Sequence, residues 1–186
     1  HWFDGLSKPT KRMPVTSRTG ERLPSAYRRF HERCYRTMQS MRLRVVVTDG
    51  RGRAKPAGGL ASWLRRVAPS SAVGLVVVAL VCDRKMRDLN YRFRMVERVT
   101  DVLSFSAGST EAVAALGQIP RLGDIVIASG KAQRQARANG VTEQQEIRRL
   151  ALHGLLHLLG YDHECDDGQM RRLERRLRRR GGLPVD

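Results

Sequence analysis

The sequence has no long apolar run and little cysteine. Its longest apolar stretch, residues 73–81, is well short of the roughly 18 to 20 residues that a membrane-spanning helix needs. Residues 1–40 also lack the apolar segment of a secretory signal, so we expect a cytoplasmic protein that does not enter a membrane. Cys34, Cys82 and Cys165 are odd in number and widely separated, which favours reduced thiols over a disulfide framework.

Acidic residues are scarce relative to basic ones. The sequence has 18 Asp and Glu residues and 35 Lys and Arg residues, which gives a formal net charge of +17. Such an excess of positive charge attracts polyanions, and binding is strengthened because the polyanion releases its counterions. We therefore expect a nucleic-acid partner. An arginine-rich composition by itself would also raise the charge, so the charge alone does not establish this partner.

The chain has the length of one domain, with 186 residues of which 41% are hydrophobic. Residues 1–40 combine many basic side chains with several prolines and show no sustained hydrophobic period, as is typical of a flexible or weakly helical arm. A strand-like run, residues 43–47, follows soon after Met41. We therefore predict a basic N-terminal extension over residues 1–40 and one folded domain over residues 41–186.

Strand-like and helix-like hydrophobic periods alternate along the predicted domain. The predicted strands cover residues 43–48, 75–82, 101–105 and 124–128, and the predicted helices cover residues 57–67, 83–94, 129–139, 142–159 and 167–180. Asp83 is a candidate N-cap of the second helix, and Thr142 with Gln145 forms a candidate capping box on the fourth. Residues 107–122 contain Gly and Pro and are predicted to be a surface loop. This order predicts an α/β (α+β) domain with about four strands.

The last predicted helix is strongly basic. Met170, Leu173 and Leu177 share one face, and arginines occupy much of the rest. The arginines are either solvated surface or an RNA contact, and the sequence does not decide between the two.

Three of the five histidines lie within residues 153–163. His153 and His157 are about one helical turn apart, so their imidazoles lie on the same face of a helix. Gly160 permits the left-handed conformation that ends a helix, which lets His163 approach the same ion. We therefore predict one Zn²⁺ ion held by His153, His157 and His163, with the fourth position open for water as in catalytic zinc sites.

Other interpretations of these histidines remain open. Cys165 would close the site as a fourth ligand, or the histidines would be ordinary helix and loop residues. The pattern also matches the metzincin motif H-E-x-x-H-x-x-G-x-x-H at its histidines and glycine, but Gly154 replaces the glutamate that serves as general base. We therefore do not expect peptidase activity of that type.

The histidine segment reads H-G-L-L-H-L-L-G-Y-D-H and resembles the signature of the YbeY family, the bacterial rRNA-maturation endoribonucleases. Two other parts of the chain are similar to family motifs. One is N-Y-R at residues 90–92 followed by T-D-V-L-S-F at residues 100–105, and the other is L-G-D-I-V-I at residues 122–127. The resemblance covers about residues 43–180.

The resemblance implies a zincin-like single domain, with a mixed four-stranded sheet flanked by about five helices. It further implies zinc on the three histidines and a single-strand-specific endoribonuclease that acts in 16S rRNA 3′-end maturation and late ribosome quality control. The implied partners are rRNA and the small ribosomal subunit, with a ribosomal protein as a further candidate.

Two residues are predicted to be catalytic. His153 is one, as a metal ligand, and Arg92 is the other, because it resembles the family's functional arginine and its planar guanidinium matches phosphate oxygens. The alternatives to a catalytic role for Arg92 are that it tethers the substrate or that it pairs with Asp101. Asp162 is predicted to orient a ligand imidazole, and a role as proton acceptor is the alternative.

Two rival functions remain open. The first is an RNA-binding ribosome-assembly factor in which zinc mainly supports the fold. The second is a metal-dependent hydrolase of small molecules, which would need a narrow apolar pocket and which the positive charge disfavours.

Overall fold

The computed structural model describes residues 42–108, 119–161 and 167–185. The predicted extension over residues 1–40 lies outside this range, as do Cys34, Cys165, Asp162 and His163. Cys82 is described and is a free thiol.

Four strands form one mixed sheet. They are β1 (Arg44–Asp49), β2 (Leu75–Val81), β3 (Val102–Ser106) and β4 (Arg121–Ala128). The order across the sheet is β1-β2-β4-β3, in which β1, β2 and β4 are parallel and β3 runs antiparallel to β4. Strands β1 and β3 are therefore the edge strands of this sheet in the described part of the chain.

Five helices occur in the described part of the chain. They are α1 (Leu60–Val67), α2 (Asp83–Arg94), α3 (Ser129–Ala138), α4 (Glu143–Leu158) and α5 (Gln169–Arg180). None of the helices within the described ranges is long and apolar enough to cross a membrane.

The two faces of the sheet carry separate apolar clusters because side chains alternate along each strand. On one face Val76, Val78, Leu80, Ile125 and Ile127 pack with apolar residues of α1, α4 and α5. On the other face the core is built mainly by α2, and its members are Ala79, Val81, Leu103, Phe105, Val126, Ala128, Met86 and Leu89. Helices α2 and α4 thus lie on opposite faces of the sheet.

The predicted fold class is confirmed, with four strands in a mixed sheet and helices on both faces. Most element boundaries fall within a few residues of the prediction. Helix α1 begins at Leu60 rather than at residue 57, because Gly58 and Gly59 adopt positive φ angles of 53° and 73° that no helix accommodates. Strand β4 begins at Arg121, so the end of the predicted loop is strand, while residues 109–118 lie outside the described range.

Asp83 is not the N-cap of α2. That position is Cys82, and Asp83 is the first helical residue. Its carboxylate instead accepts hydrogen bonds from the backbone N–H of Lys131 at 3.0 Å and from Nη2 of Arg134 at 2.6 Å. Asp83 therefore ties the start of α2 to α3, a contact between residues far apart in the sequence.

Candidate metal site

Helix α4 carries two of the predicted ligands and begins at the predicted capping box. The Thr142 hydroxyl accepts from the backbone N–H of Gln145 at 3.2 Å, and the Gln145 side chain accepts from the backbone N–H of Thr142 at 2.9 Å. The box satisfies two N–H groups that the first helical turn leaves without partners. The helix then runs past the sheet with Leu152, Leu155 and Leu156 fully buried.

His153 and His157 bring two nitrogens to one point. Their Nε2 atoms are 3.2 Å apart, and their ring centroids are 4.8 Å apart with the planes at 76°. Two nitrogens that each lie about 2.05 Å from one tetrahedral ion are separated by roughly 3.3 Å. The observed separation therefore fits two ligands of a single ion, with both Nε2 atoms as donors.

Gly154 allows α4 to approach the sheet closely beside these histidines. A Cβ atom at this position would lie 2.7 Å from Cγ2 of Ile125 and 3.0 Å from Oγ of Ser104. The Ser104 hydroxyl also donates to the Gly154 carbonyl oxygen at 3.2 Å. The metzincin glutamate would have to occupy this space, so its absence from the sequence has a direct structural reason.

Glu174 of α5 contacts the other side of the His153 ring, with Oε2 3.3 Å from Nδ1. Burial alone would raise the pKa of Glu174, but the hydrogen bond with His153 and the charges of His153, Arg149 and Arg178 together hold that pKa below its ordinary value. Metal-bound histidines commonly donate their second N–H to a carboxylate. A His153 ligated through Nε2 would carry its proton on Nδ1 and donate it to Glu174.

Sequence reasoning missed Glu174 and assigned the orienting role to Asp162. One signal was available, because Glu174 is the only carboxylate among the seven arginines of α5 and borders its apolar face. A lone acidic residue at such a position often has a specific partner, but the sequence did not say which one. The prediction for Asp162 lies outside the described residues.

Gly160 ends the helix as predicted. Its φ angle is 86°, its N–H donates to the carbonyl oxygen of His157 at 3.0 Å, and the N–H of Tyr161 donates to that of Leu156 at 3.1 Å. These bonds turn the chain away from the helix axis just before residue 163. The third ligand, His163, remains a prediction. Across the described ranges there is no group of three or more His, Cys, Asp or Glu side chains arranged around a common metal position.

Arg92 lies in the exposed last turn of α2, with its guanidinium carbon 5.5 Å from the Phe93 ring centroid. Phe93 packs edge-on against Phe105 of β3, at a centroid separation of 4.8 Å. Edge strand β3 thus contacts Phe93 through one of its faces and α4 through Ser104 on the other. A location of Arg92 in the metal cleft stays a prediction.

Asp101, which the sequence offered as a pairing partner for Arg92, stabilises the start of β3. Its Oδ1 accepts from the backbone N–H of Val102 at 3.1 Å, and its Oδ2 accepts from Nε2 of Gln135 at 3.0 Å. Asp101 therefore connects β3 to α3 and has a structural role.

The chain is similar to known proteins of one family. The family model described as endoribonuclease YbeY matches residues 60–181. The chain is 46% identical over 124 residues to the endoribonuclease YbeY of Solibacter usitatus, which covers 66% of this chain and 78% of that protein. It is 39% identical over 121 residues to the endoribonuclease YbeY of Sulfurovum sp., covering 65% and 82% respectively.

A solved structure supports the fold. The solution structure of TM1509 from Thermotoga maritima superposes with a TM-score of 0.51 at 24% identity, and the match covers 74% of this chain and 88% of that one. The family match spans every described helix and strand except β1 and includes the histidine helix. The chain belongs to the endoribonuclease YbeY family.

Proposed function

We propose that this protein is a zinc-dependent, single-strand-specific endoribonuclease that acts in 16S rRNA 3′-end maturation and late ribosome quality control in the cytoplasm. Its family supports the reaction class, since the matched relatives are named endoribonucleases. The observation that carries the proposal is the convergence of the His153 and His157 Nε2 atoms at 3.2 Å, with the Glu174 carboxylate behind His153.

The residues present fit a zinc ion. His153, His157 and His163 would hold it, because imidazole nitrogens are common zinc ligands and the first two already have the spacing that one tetrahedral ion requires. When bound, zinc supplies Lewis-acid chemistry that polarises a phosphoryl oxygen and lowers the pKa of water.

The protein's own side chains supply orientation and charge. Glu174 fixes the ring of His153 by accepting its Nδ1 proton. Arg92 presents a planar, permanently charged group that matches two phosphoryl oxygens and would stabilise the charge that develops on them. The net charge of +17 favours rRNA, in the context of the small ribosomal subunit, as the partner. A ribosomal protein is a further proposed partner.

The experiment that tests the proposal compares the zinc-loaded wild type with His153→Ala on precursor rRNA within small subunits. His31→Ala is a matched control, because it removes a histidine from the predicted N-terminal extension. We expect wild type and His31→Ala to cleave the 3′ end and His153→Ala to lose cleavage together with zinc. Cleavage that persists in His153→Ala would refute a zinc-dependent nuclease. Faster subunit maturation without any cleavage of purified RNA would instead indicate the assembly-factor alternative.

A further inference from the structure

Helix α5 carries a stripe of arginines that borders the metal site. Arg171, Arg175 and Arg178 follow the spacing i, i+4, i+7 and so lie along one side of the helix. Glu174 lies on the same side, between the arginine stripe and the apolar face formed by Met170 and Leu177.

These residues enclose a groove rather than a flat surface. Arg171, Glu174, Arg175, Arg178 and Val185 line a cavity of about 200 Å³ that is open on one side, which we call the arginine groove. Arg171 and Arg175 are exposed, while Arg178 is half-buried and donates to the carbonyl oxygen of Pro184. The C-terminal segment, held by Arg178, thus forms one wall of the groove.

The charge of the groove is strongly unbalanced. Its lining residues carry three guanidinium groups and one carboxylate, and that carboxylate, Glu174, contacts His153. Like charges gathered around a concavity repel one another and concentrate a positive potential there. A polyanion that enters the groove relieves this repulsion and releases its own counterions.

We propose that the arginine groove binds the phosphodiester backbone of single-stranded RNA and leads it to the histidine pair. This inference rests on the proposed function, because it assigns the groove to the substrate of that reaction. Glu174 lines the groove and contacts Nδ1 of His153, so one carboxylate separates a strand lying in the groove from the ring of a proposed metal ligand.

The dimensions of the stripe suit a short segment of backbone. From residue 171 to residue 178 the helix rises about 10 Å, which corresponds to about three nucleotide steps at about 3.4 Å each along a stacked strand. Guanidinium groups bind phosphate oxygens through two parallel hydrogen bonds and carry no information about base sequence. The groove is therefore expected to strengthen binding and to position the strand without selecting bases.

The test uses the full-length, zinc-loaded protein and a labelled single-stranded oligouridylate of about 12 nucleotides. The double variant Arg171→Gln with Arg175→Gln removes two guanidinium groups from the groove. The double variant Arg176→Gln with Arg179→Gln is the matched control, because it makes the same charge change on the same helix, roughly 100° away around its axis. Fluorescence anisotropy between about 50 and 200 mM salt gives the affinity and its salt dependence. Zinc content and the thermal transition establish that both variants are folded.

We expect the groove variant to bind RNA roughly two- to thirtyfold more weakly at the lowest salt, because it loses two exposed ionic contacts. The slope of log affinity against log salt should fall by about 1.4, because each phosphate contact with a single strand contributes about 0.7. The control should lose less affinity than the groove variant at every salt concentration, and less than about twofold at about 200 mM, where charges more than about 8 Å apart are largely screened.

Equal losses in both variants would overturn the proposal, because the effect would then come from net charge alone. Unchanged binding by the groove variant would also overturn it. The proposal would also be overturned if the groove variant lost binding to small subunits but kept binding to oligouridylate, because the groove would then contact a ribosomal protein. If the wild type binds RNA through the groove but never cleaves precursor rRNA, the groove stands and the proposed nuclease function fails.

Discussion

Replacing Glu174 by alanine removes the carboxylate that contacts His153 and should weaken zinc binding. The side chain is 15% exposed, and its Oε2 atom lies 3.3 Å from Nδ1 of His153. A His153 ligated through Nε2 donates its Nδ1 proton to this oxygen, so the carboxylate fixes the ring and makes Nε2 a better donor. Without it the ring gains rotational freedom and loses an electrostatic partner.

The geometry sets the size of the effect. Loss of such a carboxylate typically costs 10- to 100-fold in metal affinity, a range of about 1.4 to 2.7 kcal/mol. Here the distance of 3.3 Å exceeds the roughly 2.7 to 2.9 Å of the strongest charge-assisted hydrogen bonds. We therefore expect Glu174→Ala to weaken zinc binding by about tenfold, near the lower limit. Glu174→Gln keeps an acceptor oxygen but loses the charge, so it should cost less, roughly threefold.

Zinc affinity is measured at neutral pH by competition with a chromogenic chelator, beside the thermal transition of each variant. Glu97→Ala is the control, because Glu97 is exposed on the surface and its loss changes the net charge equally. Wild-type zinc affinity in Glu174→Ala would refute an orienting role for this residue. The same conclusion would follow if Glu97→Ala weakened binding as much, since only net charge would then matter.

Three further predictions follow from the described contacts. Gly154→Ala places a methyl group 2.7 Å from Ile125, so it should lower the free energy of unfolding by about 1 to 3 kcal/mol in denaturant titrations, and a neutral result would contradict the close packing. Burial alone would raise the pKa of Asp101, but the hydrogen bond from Gln135 and nearby charge lower that pKa, so its stabilising effect is present above about pH 4 and lost as the pH falls through the lowered value. Asp101→Asn should accordingly destabilise at pH 7 and much less at pH 2.5, and an equal loss at both pH values would contradict this. Arg92→Lys should slow single-turnover cleavage roughly ten- to a thousandfold with zinc content unchanged, whereas weaker RNA binding at a wild-type cleavage rate would make Arg92 a tether.

Local patterns determined the helices and strands because each depends on neighbouring residues. Helix α2 has its predicted bounds, and the capping box of Thr142 and Gln145 forms as predicted. The histidine spacing predicted the convergence of His153 and His157, since a helical turn fixes the relation between residues four apart. The family followed from the same segment and its neighbouring motifs.

Contacts between distant segments could be decided only by the tertiary structure. Asp83 looked like a local cap, yet its carboxylate bonds to α3, because the end of β2 and the end of β4 lie side by side in the sheet. The sequence around Gly154 does not explain why this residue is a glycine. The reason is that Ile125 and Ser104 of the sheet lie against it.

Glu174 is the clearest example of a residue whose contact could not be predicted from the sequence. It is 21 residues from His153, on a different helix, and the sequence between them includes the turn at Gly160. The hydrogen bond between the two side chains depends on how α5 packs against α4, which is set by apolar residues such as Met170 and Leu177 rather than by any motif around Glu174. The sequence alone therefore determined which residues form the helices and that His153 and His157 converge, while the packing of α5 decided which carboxylate contacts His153.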